Sequence, residues 1–198
     1  MRFTYDKKLP ALLVKIEEAL VSKTPKAVAN LKVSEPAYAI FLWYEDSSSC
    51  GDLAPHFGVG VESMRTVCAK RYDNGELAND CIWRPQQVIT ELVPRGSFKD
   101  RVFTNRCKEA YALMLAANKT GEPLEDEGEL LRPFRSMMHR VASRLNEYEW
   151  EGLLRTMEEF VVVSLDQIGY WLEEDLKSSI PKAKLKLLQQ RGLLFGSK

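Results

Sequence analysis

At 198 residues, with 45% apolar and 28% charged side chains, the chain is ordinary for a globular protein and long enough for one domain with a sizeable core. Lys+Arg and Asp+Glu are each 28, a formal net charge of zero that argues against a nucleic-acid binder driven by bulk positive charge. No run of about 18 or more apolar residues occurs, and Glu17 and Glu18 fall where a signal peptide needs its apolar centre, so no membrane span and a cytoplasmic home are expected.

Taken in chain order, Leu9, Leu12, Leu13, Ile16, Ala19 and Leu20 recur at helical spacing and predict an amphipathic helix from Lys7 to about Val21, ended by Lys23-Thr24-Pro25. Ala37–Tyr44, AYAIFLWY, is a nearly unbroken apolar run bounded by Pro36 and by a polar, serine-rich loop. It reads as a strand buried on both faces, and the rest of the chain is expected to be organised around it. Phe57–Val61 predicts a second strand in a hairpin with the first, and a helix follows from Glu62 to about Tyr72, stopped by Asp73-Asn74-Gly75. Cys81–Pro85 is read as a short third strand or an ordered loop pinned by Trp83. Leu92–Ser97, LVPRGS, matches the thrombin-cleavage linker placed beside engineered tags; no tag flanks it, so coincidence is the preferred reading, and Pro94 and Gly96 mark a turn.

The second half reads as helix-rich from about residue 97. Ser97 is positioned to cap a helix burying Phe103, Cys107, Ala110, Tyr111 and Met114, and an acidic linker, Glu122–Glu129, separates it from a helix starting near Arg132-Pro133. Asn146 with Glu149 resembles a capping box for a further helix through Met157. Phe160–Leu165, with three consecutive valines, is the second-best strand signal. Helices are expected after Gly169 and from Pro181, the last closing at Gly192. This order predicts a single α+β domain over residues 1–198: a small, mostly antiparallel sheet of about three strands covered by amphipathic helices.

The chemistry-bearing residues are few. Cys50, Cys68, Cys81 and Cys107 form no C-x-x-C pair; in a cytosolic chain they are expected to be free thiols, and no metal site or cofactor is expected. Gly58-x-Gly60 lacks the third glycine of a dinucleotide fingerprint, with Ser63 in its place, and is read as a close-packing feature. Asp46, Cys50, Asp52 and His56 lie in and just beyond the loop after the first strand and are the candidate interaction or ligand residues. A nucleophile, base and orienting carboxylate cannot be inferred from nearness in sequence alone. Glu122, Glu125, Asp126 and Glu127 form an acidic segment suited either to a helix N-terminus or to a basic partner. No nucleophile elbow, P-loop, HExxH or kinase signature is present, which lowers the case for an enzyme.

An N-terminal helix followed by AYAIFLWYED, a second strand and helix, CIWRPQQ, FVVVSLDQI and a closing RGLL resembles an uncharacterised bacterial family found among suspected immunity partners of polymorphic toxins. The long helical middle, Ser97 to Met157, departs from it. The resemblance implies a cytosolic protein that works by binding another protein, such as a toxin. Two readings therefore stand at this point. One is a non-catalytic, immunity-like binding module. The other is a small-molecule-binding domain or enzyme using the loop after the first strand. Self-association through tryptophan and leucine on the C-terminal helices is compatible with either.

Overall fold

The computed structural model describes residues 3–44, 53–72, 74–118, 127–167 and 169–194. They form an α+β fold with the elements α1 (Leu9–Ala29), β1 (Ala37–Tyr44), β2 (His56–Val61), α2 (Glu62–Arg71), α3 (Gly75–Trp83), α4 (Pro85–Val88), β3 (Arg95–Ser97), α5 (Arg101–Leu115), α6 (Glu127–Asn146), β4 (Thr156–Asp166), α7 (Leu172–Ser179) and α8 (Lys182–Gln190). A single hydrophobic core cluster among the described residues draws on side chains from Leu9 to Leu188.

The sheet has four strands in the order β3-β2-β1-β4 and is mixed, where about three mostly antiparallel strands were expected. β1 pairs antiparallel with β2 and parallel with β4, so the pivotal run is enclosed on both edges as well as on both faces, and all eight of its residues are buried. A parallel neighbour needs a long crossover, and α5 and α6 supply it between β3 and β4. Gly58 and Gly60 serve packing. A Cβ on Gly60 would sit 2.5 Å from the Tyr38 ring, and one on Gly58 would collide with Trp43. That room admits an aromatic cluster in which Phe41 stacks on Trp43 at 5.5 Å and Trp83 meets the edges of Tyr38 and Phe41.

Several local expectations are corrected. Cys81–Pro85 is no strand: it ends α3 and opens α4, held by the Tyr38 hydroxyl donating to the Ile82 carbonyl at 2.9 Å and the Trp83 indole donating to the Leu193 carbonyl at 2.7 Å. The remaining strand, β3, lies inside the LVPRGS match and pairs with β2 from His56↔Ser97 to Gly58↔Arg95. Helix α1 runs through Pro25 to Ala29, because the Thr24 hydroxyl donates to the Leu20 carbonyl at 2.7 Å and Thr24, Pro25 and Val28 are buried. Asn74 begins a helix where it was expected to help end one, accepting from the Glu76 N–H at 2.8 Å. The cap of α5 is Asp100 and not Ser97. The Lys23 ammonium and then the Phe103 N–H hold the Asp100 carboxyl down at about 2. Residues 147–155 form turns and not a helix, with Met157 already in β4. The close of α8 is as expected: Gly192 has φ +66° and the Leu193 N–H donates to the Leu188 carbonyl at 2.9 Å.

The thiol expectation fails for Cys68 and Cys81, while Cys50 lies outside the described residues. Cys68 and Cys81 form a disulfide, with Cα atoms 5.6 Å apart, that fastens α2 to α3. Cys107 is a buried core residue of α5. No helix among the described residues is long and apolar enough to cross a membrane.

Candidate functional site

Strands β1 and β4 run parallel and finish at the same end of the sheet, where β2 begins and β3 ends. Successive side chains of a strand point to opposite faces, so Tyr44 and Trp43 there look into different environments.

On the Tyr44 side lies a buried ionic network centred on Asp175 of α7, which is 0% exposed. One of its oxygens accepts from Arg135 Nε of α6 at 2.8 Å and lies 2.7 Å from His139 Nε2; the other accepts from the Asp166 backbone N–H at 2.9 Å and the Tyr44 hydroxyl at 3.1 Å. The Arg135 guanidinium also stacks over the Trp171 ring, 4.4 Å from its centroid. Burial works against the Arg135 cation, and the hydrogen bond to and charge of Asp175, with Tyr44 and Glu174, together more than restore it. Burial, then the Asp175 charge, push the Tyr44 phenol well above its ordinary range, so it stays a donor. The network closes the outer edge of β4. Asp175 takes the Asp166 N–H, Ser179 takes the Ser164 N–H at 3.1 Å, and the Asn146 amide bonds both the N–H and the carbonyl of Val162, at 2.8 and 2.7 Å. With three donors and the His139 ring nitrogen around its two oxygens, Asp175 has little capacity left for a ligand. This is a structural device that covers a strand edge.

The Trp43 side differs. A cavity of about 470 Å³ lies there, between the ends of β1 and β2, the β3 edge strand, α4 and the residue after β4. Trp43 lines it, is only 4% exposed, and its indole N–H has no hydrogen-bond partner. Gln86 and Gln167 also line it, and each has a buried side-chain oxygen without a partner. Their placement is fixed: the side-chain amides of Gln86 and Gln87 donate to the Gln167 carbonyl at 3.4 and 2.9 Å, and the Gln167 N–H donates to the Tyr44 carbonyl at 2.9 Å. Arg95 and Lys99 stand exposed at the rim, and no carboxylate occurs among the described residues lining the cavity.

Of the residues singled out in the sequence, His56 lies at this cavity, exposed at the start of β2. Asp46, Cys50 and Asp52 lie outside the described residues, as do Glu122, Glu125 and Asp126. Glu127 is the first residue of α6, and its side chain is not described. Sequence reasoning missed Gln86, Lys99 and Gln167, left Trp43 as core, and set Arg95 aside as part of a linker-like string. Among the described residues no group of three or more histidine, cysteine or carboxylate side chains is placed to hold a metal ion.

A second concavity, of about 780 Å³, lies at the opposite end of the sheet, where Tyr148 (41% exposed) and Leu153 (38%) stand beside Glu149 and Glu151. Comparison of the chain with protein-family models, curated proteins and solved structures returns no match.

Proposed function

We propose that the chain is a ligand-binding protein whose site is the cavity on the Trp43 side of the sheet end. One observation carries the reading: a nearly fully buried tryptophan lines the cavity with its indole N–H unpaired. A buried donor without a partner costs on the order of 1–3 kcal/mol, and folds leave few of them. Gln86 and Gln167 repeat the deficit as acceptors in the same wall. This develops the expectation of a small-molecule site beside the loop after β1, with His56 at its rim, and assigns binding and no catalytic step.

The test is a ¹H–¹⁵N spectrum of the protein titrated with the low-molecular-mass fraction of its native cell extract. The Trp43 indole cross-peak is expected to move. Those of Trp83 and Trp150 should hold, since they already donate to the Leu193 and Leu145 carbonyls at 2.7 and 3.0 Å. A Trp43 signal that stays still, or moves no more than the other two, contradicts the reading.

A protein partner, as the resemblance to the immunity-associated family implies, is the second reading. The exposed Tyr148 and Leu153, in a concavity lined by both acidic (Glu149, Glu151) and basic (Arg155, Lys184) side chains, favour it. Affinity purification of the parent and of a Tyr148→Ser/Glu149→Lys/Glu151→Lys variant is its check. A stoichiometric protein retained by the parent and lost by the variant supports it; identical eluates remove that surface from the account. Cytosolic residence remains part of the proposal, and the disulfide supplies a check. The cytosol keeps thiols reduced, so rapid alkylation in cells should modify Cys68 and Cys81, whereas a bonded pair points to an oxidising compartment.

A further inference from the structure

We infer that the Arg95–Gly96 bond is a processing site for a serine protease that cuts after arginine, and that the cut protein stays folded as two associated pieces. This is independent of the ligand reading above.

Leu92–Ser97 matches the string that thrombin cleaves after its arginine. The fold places that string on the edge of the sheet, where β3 is the outermost strand and pairs only with β2. The Val59 N–H donates to the Pro94 carbonyl at 2.8 Å, and Phe57 pairs with Gly96, so Pro94 and Gly96 turn their backbone polar groups toward β2. These directions alternate along an antiparallel pair, so the N–H and carbonyl of Arg95 point away from β2, to the open edge. The Arg95 side chain is exposed. A chymotrypsin-type protease binds its substrate as an extended strand, with the arginine in a carboxylate-based pocket and its carbonyl in an oxyanion hole. Extended backbone, outward carbonyl and exposed guanidinium are all offered by β3.

Val93 and Phe98 flank the bond and are buried, so the strand must lift from β2 to enter a protease cleft. β3 is only three residues long, and a short edge strand opens locally at low cost. Cleavage should track that opening and run slower than in a free peptide. In the reaction the protease serine oxygen bonds to the Arg95 carbonyl carbon, the bond to Gly96 breaks, and Gly96 leaves as an amine with the proton. Water then releases the Arg95 carboxylate. The cut puts β1 and β2 on one piece and β4 on the other. β1 and β4 remain paired from Ala39 to Tyr44 and share one core, which holds the pieces together. The Cys68–Cys81 disulfide lies within the first piece and does not join them. Gly96 also has a structural use, since a Cβ there would sit 2.6 Å from the Phe57 ring. That use and cleavage are compatible, because the protease reads the same extended backbone.

The experiment treats the full chain, disulfide intact, with thrombin, and uses a synthetic Glu91–Phe98 peptide to show that the enzyme is competent. Loss of the full-length band is expected, giving fragments Met1–Arg95 and Gly96–Lys198 by intact mass that elute together at the parent's volume in size exclusion. The Arg95→Gln variant should stay uncut, with a melting temperature near the parent's because the side chain is exposed. A native chain left whole while the peptide is consumed, a first cut at another bond, or a variant cut like the parent overturns the site. Fragments that separate or precipitate overturn the folded, cut state.

Discussion

Trp43 and Tyr44 are adjacent, both are buried at the end of the same strand, and each presents a polar atom, yet their surroundings have opposite character. The Tyr44 hydroxyl joins a network in which Asp175 is saturated by Arg135, His139, the Asp166 N–H and Tyr44 itself. Trp43 lines a cavity with Gln86 and Gln167, and each of the three carries a buried polar atom without a partner. A closed polar network locks elements together, and here it seals the outer edge of β4. An open one holds unspent hydrogen-bonding capacity, which is what a recognition site needs.

The largest effect should come from breaking the closed side. Asp175→Ala leaves Arg135 buried without its main partner and the Asp166 N–H without an acceptor, so a loss of about 3–5 kcal/mol in urea unfolding is expected. A loss under about 1 kcal/mol would show that the network contributes little. Next comes the disulfide, which closes a short loop between α2 and α3. The Cys68→Ala/Cys81→Ala variant should lose about 3 kcal/mol relative to the oxidised parent and match the reduced parent more nearly. Smaller again, Asn146→Ala removes side-chain bonds to the N–H and carbonyl of Val162 and should cost about 1–3 kcal/mol. Hydrogen exchange at Val162 should rise with it, while β2 amides hold.

The pH dependence sharpens the same contrast. The phenol of Tyr44 is raised chiefly by burial and then by the negative charge of Asp175, from an ordinary value of 10.0. A raised folded value means that the unfolded chain loses this proton first. Its contribution is complete below pH about 10 and is lost as pH climbs beyond that value. Melting temperatures should therefore fall above pH about 10, and Tyr44→Phe should flatten that limb. An unchanged slope in the variant would mean that another group governs alkaline unfolding.

Much of the fold was legible because burial writes a local pattern. The run AYAIFLWY coincides with β1 residue for residue, and the valines of Val161–Val163 mark β4. The direction of β4 was not legible, since it depends on how α5 and α6 carry the chain across and not on any residue in β4. Trp150, Leu153 and Leu154 mimic helical spacing, but Gly152 at φ +81° and the Trp150 indole bond to the Leu145 carbonyl, at 3.0 Å, make that stretch a turn. The cavity was nearly invisible. Trp43, Gln86, Arg95 and Gln167 come from four separate segments, and Trp43 carries the same apolar signal as its core neighbours. Only His56 was singled out in advance, from its place after the first strand.

The most direct test pairs two conservative variants, Trp43→Phe and Tyr44→Phe, in calorimetric titrations with the low-molecular-mass fraction of the native cell extract, with urea midpoints measured alongside. Both variants should lose comparable stability, because both side chains are buried. Only Trp43→Phe should lose binding, while Tyr44→Phe keeps the parent's affinity. Equal affinities in the two variants, or a loss confined to Tyr44→Phe, would contradict the assignment of recognition to the open side of the strand and architecture to the closed one.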